Sequence, residues 1–190
     1  MIIDSSRSRV MLRSLDNKDA LRISELGNDK EIYRNEGLRF PHPYDINTAI
    51  DFIFFSEISE SENRSYNLAI IKKDENLLIG IASIYNIDNV NRKAEIGYWI
   101  GRSYWGKGYG SEAAELCVAY AFYYMKMHKI YAEILEYNDR SKRLLERLNF
   151  KNTGRFRSDI KKGFRYYDVL YYELLRNEYN NKIGRLKVYR

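Results

Sequence analysis

Between residues 93 and 125 the chain runs from a strand pattern, Lys93-Ala94-Glu95-Ile96-Gly97-Tyr98-Trp99-Ile100, through a glycine loop into a long helical pattern. The loop reads Trp105-Gly106-Lys107-Gly108-Tyr109-Gly110-Ser111. Three glycines at alternate positions before a helix N-terminus let backbone N–H groups converge without obstruction by Cβ atoms. The helix dipole and Lys107 add positive potential at that point, so the expected guest is a phosphate or pyrophosphate. Two familiar phosphate motifs are excluded. A dinucleotide fingerprint counted from Gly106 needs its last glycine where Ser111 stands, and a P-loop needs Ser or Thr directly after Lys107, where Gly108 stands.

The rest of the chain is that of one ordinary domain of 190 residues with no linker, internal repeat or low-complexity block. A single cysteine, Cys117, excludes an internal disulfide and favours a reducing compartment. No apolar run approaches the roughly 18 residues of a membrane span, and Met1-Ile2-Ile3-Asp4-Ser5-Ser6-Arg7 is too short and polar for a signal peptide. The expectation is a cytoplasmic protein without membrane attachment. The net charge of +6 is concentrated late: Arg176, Lys182, Arg185, Lys187 and Arg190 face only Glu178. Residues 179–190 are therefore expected to form a basic tail, a solvated terminus or a weak nucleic-acid or ribosome contact.

Hydrophobic periodicity and turn signals place the elements. A strand is expected from Val10 to Leu15 after an N-terminal extension of residues 1–9. Helices follow from Asp16 to Leu26, from Asp29 to Gly37 and from Asp45 to Ser59. Between the last two, Phe40-Pro41-His42-Pro43-Tyr44 is a rigid loop. Strands at 66–72, 77–85 and 93–100 lead to the glycine loop and a helix from Gly108 to about Met125, with Cys117 on its buried stripe. A strand at 129–135, a helix at 140–148 capped by Asn138-Asp139, and strands at 151–157 and 164–174 complete the pattern. Strands and helices without strict alternation imply an α+β domain over residues 10–178, with a mostly antiparallel sheet flanked by helices.

With these elements placed, the chain resembles the GNAT acetyltransferase superfamily, and within it the RimJ/RimL-type branch. Three groups of residues carry the resemblance. They are Ala94-Glu95-Ile96-Gly97-Tyr98-Trp99 running into Trp105-Gly106-Lys107-Gly108-Tyr109-Gly110; Asn138 and Ser141 continuing through Leu145-Glu146-Arg147-Leu148-Asn149-Phe150; and Tyr167-Asp168-Val169-Leu170-Tyr171-Tyr172-Glu173-Leu174. The resemblance implies central strands that splay apart after residue 100 and opposite 129–135. The pantetheine arm of acetyl-CoA would lie in that gap against Tyr98, Trp99 and Ile100. The pyrophosphate would sit on the N–H groups of Gly106, Lys107, Gly108, Tyr109, Gly110 and Ser111, beside Trp105, with Asn138 touching the arm. Other branches carry a tyrosine general acid where this chain has Leu145; in this branch Ser141 is the implied proton donor to the departing thiolate, and it too borders the cofactor.

Acetyl transfer to an amine requires loss of a proton from nitrogen, stabilisation of the carbonyl oxygen and accommodation of a thiolate. Glu95 and Glu133, on facing strands, stand where GNAT branches carry a base; the structural alternative is that each is a strand carboxylate paired with Lys or Arg. His42 and His128 form no nucleophile–base arrangement, and metal-ligand spacings are absent. Direct attack in a ternary complex is expected. The acceptor site is expected between the first helices, the Phe40–Tyr44 loop and the final hairpin, with Tyr33, Arg34, His42, Tyr44 and Tyr167 as candidate walls; Asp168 would bind a cationic amine or fix the hairpin. The amine is expected to be a protein N-terminus of the ribosomal-protein type, in a monomer or homodimer. The alternatives are a small amine such as a polyamine or amino sugar, and a non-catalytic CoA-binding regulator.

Overall fold

A computed structural model describes residues 1–37 and 40–189. Leu38, Arg39 and Arg190 (the last counted in the basic segment) lie outside them. In chain order the strands are β1 (Ile2–Ser5), β2 (Val10–Ser14), β3 (Tyr66–Lys72), β4 (Leu77–Asp88), β5 (Lys93–Ile100), β6 (Lys129–Leu135), β7 (Lys151–Lys162), β8 (Arg165–Leu175) and β9 (Leu186–Tyr189). The α-helices are α1 (Ala20–Gly27), α2 (Lys30–Asn35), α3 (Ile46–Ser61), α4 (Tyr109–Tyr123) and α5 (Asp139–Arg147). The strands form a single sheet in the order β7-β8-β6-β5-β4-β3-β2-β1-β9.

Local chemistry starts the helices where the sequence suggests. The Asp29 carboxylate accepts from the N–H groups of Glu31 (2.8 Å) and Ile32 (3.2 Å), and Asp45 accepts from Thr48 (2.8 Å), each satisfying donors that the first helical turn leaves free. Asp16 also caps, but what it caps is a 3-10 turn, Asn17–Asp19, with α1 following at Ala20. Alternation along the strands then divides the core. On one face Ile96 and Ile100 of β5, with Ile130, Ala132 and Ile134 of β6, pack with α4 and α5. On the other, Trp99, Ala69, Ile71 and Ile81 pack with α1 and α3.

Every neighbouring pair is antiparallel except β5 and β6, and that exception positions the site. The parallel pairing covers only Lys93↔Lys129, Ala94↔Ile130 and Glu95↔Tyr131. Beyond it, β6 stays with β8 as far as Leu135↔Val169, while β5 stays with β4 as far as Ile100↔Gly80. Residues 96–100 thus have a strand partner on one edge only, and a gap opens in the middle of the sheet.

Three segments differ from the sequence reading. Ile2–Ser5, placed in an extension, and Leu186–Tyr189, placed in a tail, pair with each other as β1 and β9 in the sheet. Their short alternation, Ile3 and Leu186 inward and Asp4 and Lys187 outward, is too brief to stand out from the flanking charges. β7 runs five residues past the expected end at Arg157, because Arg157-Ser158-Asp159 is a bulge opposite Asp168 rather than a turn. Ser158 takes positive φ there, and its N–H donates to the Asp168 carboxylate (2.7 Å).

At Gly80 the strands β4 and β5 approach so closely that a Cβ would lie 2.2 Å from the Trp99 carbonyl oxygen and 2.9 Å from Ile100 Cα. Both obstacles are backbone, so neither yields by a rotamer change. Gly80→Ala is therefore expected to destabilise the domain by about 2–3 kcal/mol, the cost of overpacking a core, read as a lowered midpoint in urea unfolding.

Candidate active site

The gap between β5 and β6 continues into a cleft of about 530 Å³ that runs to the glycine loop. Along β5 its wall is Tyr98, Trp99 and Ile100. At the loop it is Trp105, Gly106, Gly108, Tyr109, Gly110 and Ser111, and along α5 it is Asn138, Arg140, Ser141, Arg143, Leu144 and Arg147. Tyr104, before the loop, and Ile32, Asn35 and Glu36, towards the end of α2, complete it.

The loop geometry follows from its glycines. Gly108, the residue before α4, sits at φ 89°, a left-handed conformation that glycine adopts without strain, and no side chain caps the helix. The first N–H groups of α4 are therefore left for a guest, with the positive end of the helix dipole behind them. The loop is clamped from outside. Arg9 Nη2 donates to the Lys107 carbonyl (2.8 Å), Arg9 Nε donates to Glu112 (2.8 Å), and the Arg9 backbone N–H donates to the other Glu112 oxygen (2.7 Å). The Lys107 side chain does not join the cleft wall; its ammonium lies over the Tyr104 ring at 5.6 Å.

Two buried hydroxyls point to a polar guest. Ser111 Oγ and Tyr98 Oη have no hydrogen-bond partner of good geometry among the described residues. Buried polar groups are ordinarily satisfied, so each is a donor and acceptor held ready. Burial pushes the Tyr98 hydroxyl well above the usual phenol range, with the Ser141 hydroxyl beside it as the opposing influence. Asn138 has two jobs: its Oδ1 accepts from the Ser141 N–H (3.2 Å), capping α5, and its Nδ2 donates to the Asn35 carbonyl (3.3 Å), tying α5 to α2. Free N–H groups at a helix start, arginines along one wall and unsatisfied hydroxyls deeper in suit a pyrophosphate carrying an extended polar arm.

The two strand carboxylates behave differently. Glu95 is 4% exposed; it accepts from Tyr85 Oη (2.8 Å) and Asn86 Nδ2 (2.7 Å), while burial raises its pKa against those bonds. Glu133 is exposed on β6, and its pKa is raised by partial burial and then by the charges of Glu95 and Asp159. Neither forms an ion pair with Lys or Arg among the described residues. Both lie on the α1–α3 face of the sheet, off the cleft wall, beside the stacked rings of Tyr131 and Tyr171 (centroids 5.0 Å apart).

The candidate acceptor residues divide. Tyr33 stacks on His42 (5.2 Å), and Tyr167 meets Tyr137 edge-on (4.9 Å) beside the exposed Arg34; none of these four is on the cleft wall. Tyr44 is core: its ring packs against Gly27 and Phe40, and burial raises its pKa to about 12. Asp168 fixes the hairpin, since its carboxylate accepts from Arg155 and from the Ser158 N–H and is held below the usual range by them. Leu145, where other branches carry a tyrosine, is fully buried and off the cleft wall. Sequence reading passed over Arg140, Arg143 and Arg147, although their i, i+3, i+7 spacing marks one helix face. It also passed over Glu36, for which no local signal exists.

No group of three His, Cys, Asp or Glu side chains suited to a metal occurs among the described residues, and no helix there is long and apolar enough to cross a membrane.

Residues 9–151 match the family model described as the acetyltransferase (GNAT) domain. The chain is 32% identical over 172 residues to the N-acetyltransferase p20 of Bacillus licheniformis, itself uncharacterized, covering 90% of this chain and 95% of that one. It is 25% identical over 175 residues to a spermidine N(1)-acetyltransferase of Vibrio cholerae, covering 92% and 98%. The fold superposes on the crystal structure of a ribosomal-protein-S5-alanine acetyltransferase from Vibrio fischeri with a TM-score of 0.80 at 19% identity, covering 91% and 96%.

Replacing Gly108 by Ala forces a Cβ into left-handed backbone, 2.9 Å from Arg9 Nη2. The backbone strain of about 1–2 kcal/mol should weaken binding of a CoA thioester roughly tenfold, read by titration calorimetry.

Proposed function

The chain belongs to the GNAT acetyltransferase family and transfers acetyl from acetyl-CoA to an amine, and we propose that its acceptor is the α-amino group of a protein N-terminus. The observation that carries the reading is the parting of β5 and β6 after Glu95 and Tyr131, because it joins the cofactor cleft on one face of the sheet to an acidic, aromatic mouth on the other. The mouth is open: Glu133 and Phe156 are exposed, so a chain-borne amine has access.

In this reading the N–H groups of Gly106 to Ser111, with Arg140 and Arg143, hold the phosphates of acetyl-CoA, and the free edge of β5 from Tyr98 to Ile100 takes the pantetheine amides. A backbone N–H of that edge polarises the thioester carbonyl. Glu95, fixed by Tyr85 and Asn86, and Glu133 supply negative charge that attracts the ammonium group to the gap, with the faces of Tyr131 and Tyr171 as cation–π surfaces. The Ser141 hydroxyl, beside Tyr98, returns a proton to the departing sulfur. The amine attacks directly within a ternary complex.

A second reading, a polyamine acceptor, draws on one specific observation. Glu36, Glu95, Glu133 and Asp159 lie around this mouth within electrostatic reach of one another or of Tyr85, an acidic site on a chain of net charge +6. Spermidine is the named substrate of one relative.

Thiol release from acetyl-CoA, measured with peptides of varied N-terminal residue, spermidine, an aminoglycoside and free amino acids, separates the readings. Peptides are expected to give the highest kcat/KM. Turnover with spermidine at least tenfold above every peptide would replace the first reading by the second. Glu133→Gln, which removes an exposed charge from the mouth, is expected to raise KM for the amine several-fold with kcat nearly unchanged.

A further inference from the structure

We propose that Glu36, at the end of α2, is the general base that removes the proton from the acceptor's ammonium group. The proposal rests on the reading of the chain as an amine acetyltransferase and adds the residue that performs its first chemical step.

Glu36 supplies the one carboxylate on the cleft wall among the described residues. Its backbone is held from two directions: its N–H donates to the Ile32 carbonyl (3.0 Å), and its carbonyl accepts from Lys162 Nζ, which also donates to the carbonyls of Tyr33 (2.6 Å) and Arg34 (3.0 Å). Its carboxylate, by contrast, makes no hydrogen bond or ion pair with a described residue. A carboxylate positioned by its main chain and left free at its oxygens is available to a substrate proton.

Its place in the fold is equally specific. Tyr98 and Gly97 are neighbours on β5, so their Cβ directions are opposed; a Cβ on Gly97 would touch the Tyr85 ring, and Tyr98 lies against Gly110 of α4. The rings of Tyr85 and Tyr98 therefore lie on opposite faces of β5, and the charge of Glu36 acts on both. Glu36, on the cleft wall, thus stands within electrostatic reach of both faces of β5. Glu95 has its oxygens engaged by Tyr85 and Asn86, and Glu133 is off the cleft wall.

Burial against the cleft wall pushes the Glu36 carboxyl up to about 8, against the pull of Lys162 from β7. The other groups facing it are Tyr98 of β5 and Tyr85 of β4, with Glu95 and Glu133 beyond Tyr85. A carboxyl raised in this direction comes closer to the pKa of an α-ammonium, near 8, and so accepts its proton more readily than an ordinary carboxylate. The carboxylate takes one proton from the ammonium, and the nitrogen lone pair forms the C–N bond at the thioester carbonyl. The C–S bond breaks with its electron pair on sulfur. The second nitrogen proton is lost as the amide forms and reaches the thiolate, and Glu36 then returns its proton to water.

The test is the pH profile of kcat at saturating acetyl-CoA and peptide, for wild type, Glu36→Gln, Glu36→Asp, Glu95→Gln and Glu133→Gln. Saturation matters because kcat reports groups of the bound complex, whereas kcat/KM also contains the free amine's titration. Wild type should gain activity as pH rises through about 8. Glu36→Gln should lose at least 100-fold and that rising limb, with acetyl-CoA affinity by calorimetry within twofold, while Glu36→Asp restores the limb. Retention of the limb in Glu36→Gln, or its loss in Glu95→Gln or Glu133→Gln alone, would overturn the assignment. A wild type that releases no thiol with any acceptor would overturn the acceptor reading and this proposal together.

Stability gives an independent readout. A carboxyl whose folded pKa exceeds its unfolded value binds more protons when folded, so wild type should lose stability relative to Glu36→Gln as pH rises from about 5 to 8. Parallel melting-temperature curves for the two proteins over that range would remove the premise.

Discussion

Three residue pairs between β5 and β6 decide what this sheet can do. A parallel pair in a sheet interior ordinarily continues along both strands, because each unpaired backbone group buried there is costly. Here the pairing stops at Glu95↔Tyr131, and the remaining length of each strand is held by its antiparallel neighbour, β4 or β8. The backbone edge exposed in the gap is the price of a site running between the two faces of the sheet. The cleft lies beside that opening on the α4–α5 face, Glu95 and Glu133 stand on the other face, and Glu36 is on the cleft wall.

The glycine loop is held by contacts from outside it. Glycine permits the left-handed turn at Gly108, but permission alone leaves the loop many alternatives. The Arg9–Glu112 pair, with the Arg9 bond to the Lys107 carbonyl, removes them by tying the start of β2 to both the loop and the first turn of α4. An exposed ion pair is worth little as a contribution to stability. Its effect here is geometric, because it holds Arg9 where it fixes the direction of the Lys107 carbonyl.

Net charge is a poor guide to this site. The excess of Lys and Arg is spread over exposed strands, and three arginines of α5 line the cofactor cleft, whereas carboxylates collect around the gap. The separation suits a reaction that brings an anionic cosubstrate and a cationic acceptor together from different faces. Burial raises both carboxyls: at Glu95 the hydrogen bonds from Tyr85 and Asn86 oppose it, and Glu36, lacking such bonds, is pushed up to about 8.

The glycine loop, the strand before it, the helix after it and the cap at Asn138 were all legible in the sequence, because each is a local matter of φ, periodicity or a side chain bonding its own backbone. The same locality made the arginine face of α5 legible in principle. The short end strands were not, since four residues of alternation acquire meaning only when β1 and β9 meet across the whole chain. Tyr44 and Asp168 show the other limit: a tyrosine in a loop and an acid in a hairpin look like site residues until packing puts one in the core and gives the other two donors of its own hairpin. What the sequence determined by itself was the glycine turn before α4 and the elements around it. Only the tertiary structure decided where β5 and β6 part and that Glu36 joins the cleft wall, because the first depends on pairings such as Glu95↔Tyr131 and Leu135↔Val169 and the second on the bond from Lys162 of β7, none of which a local pattern records.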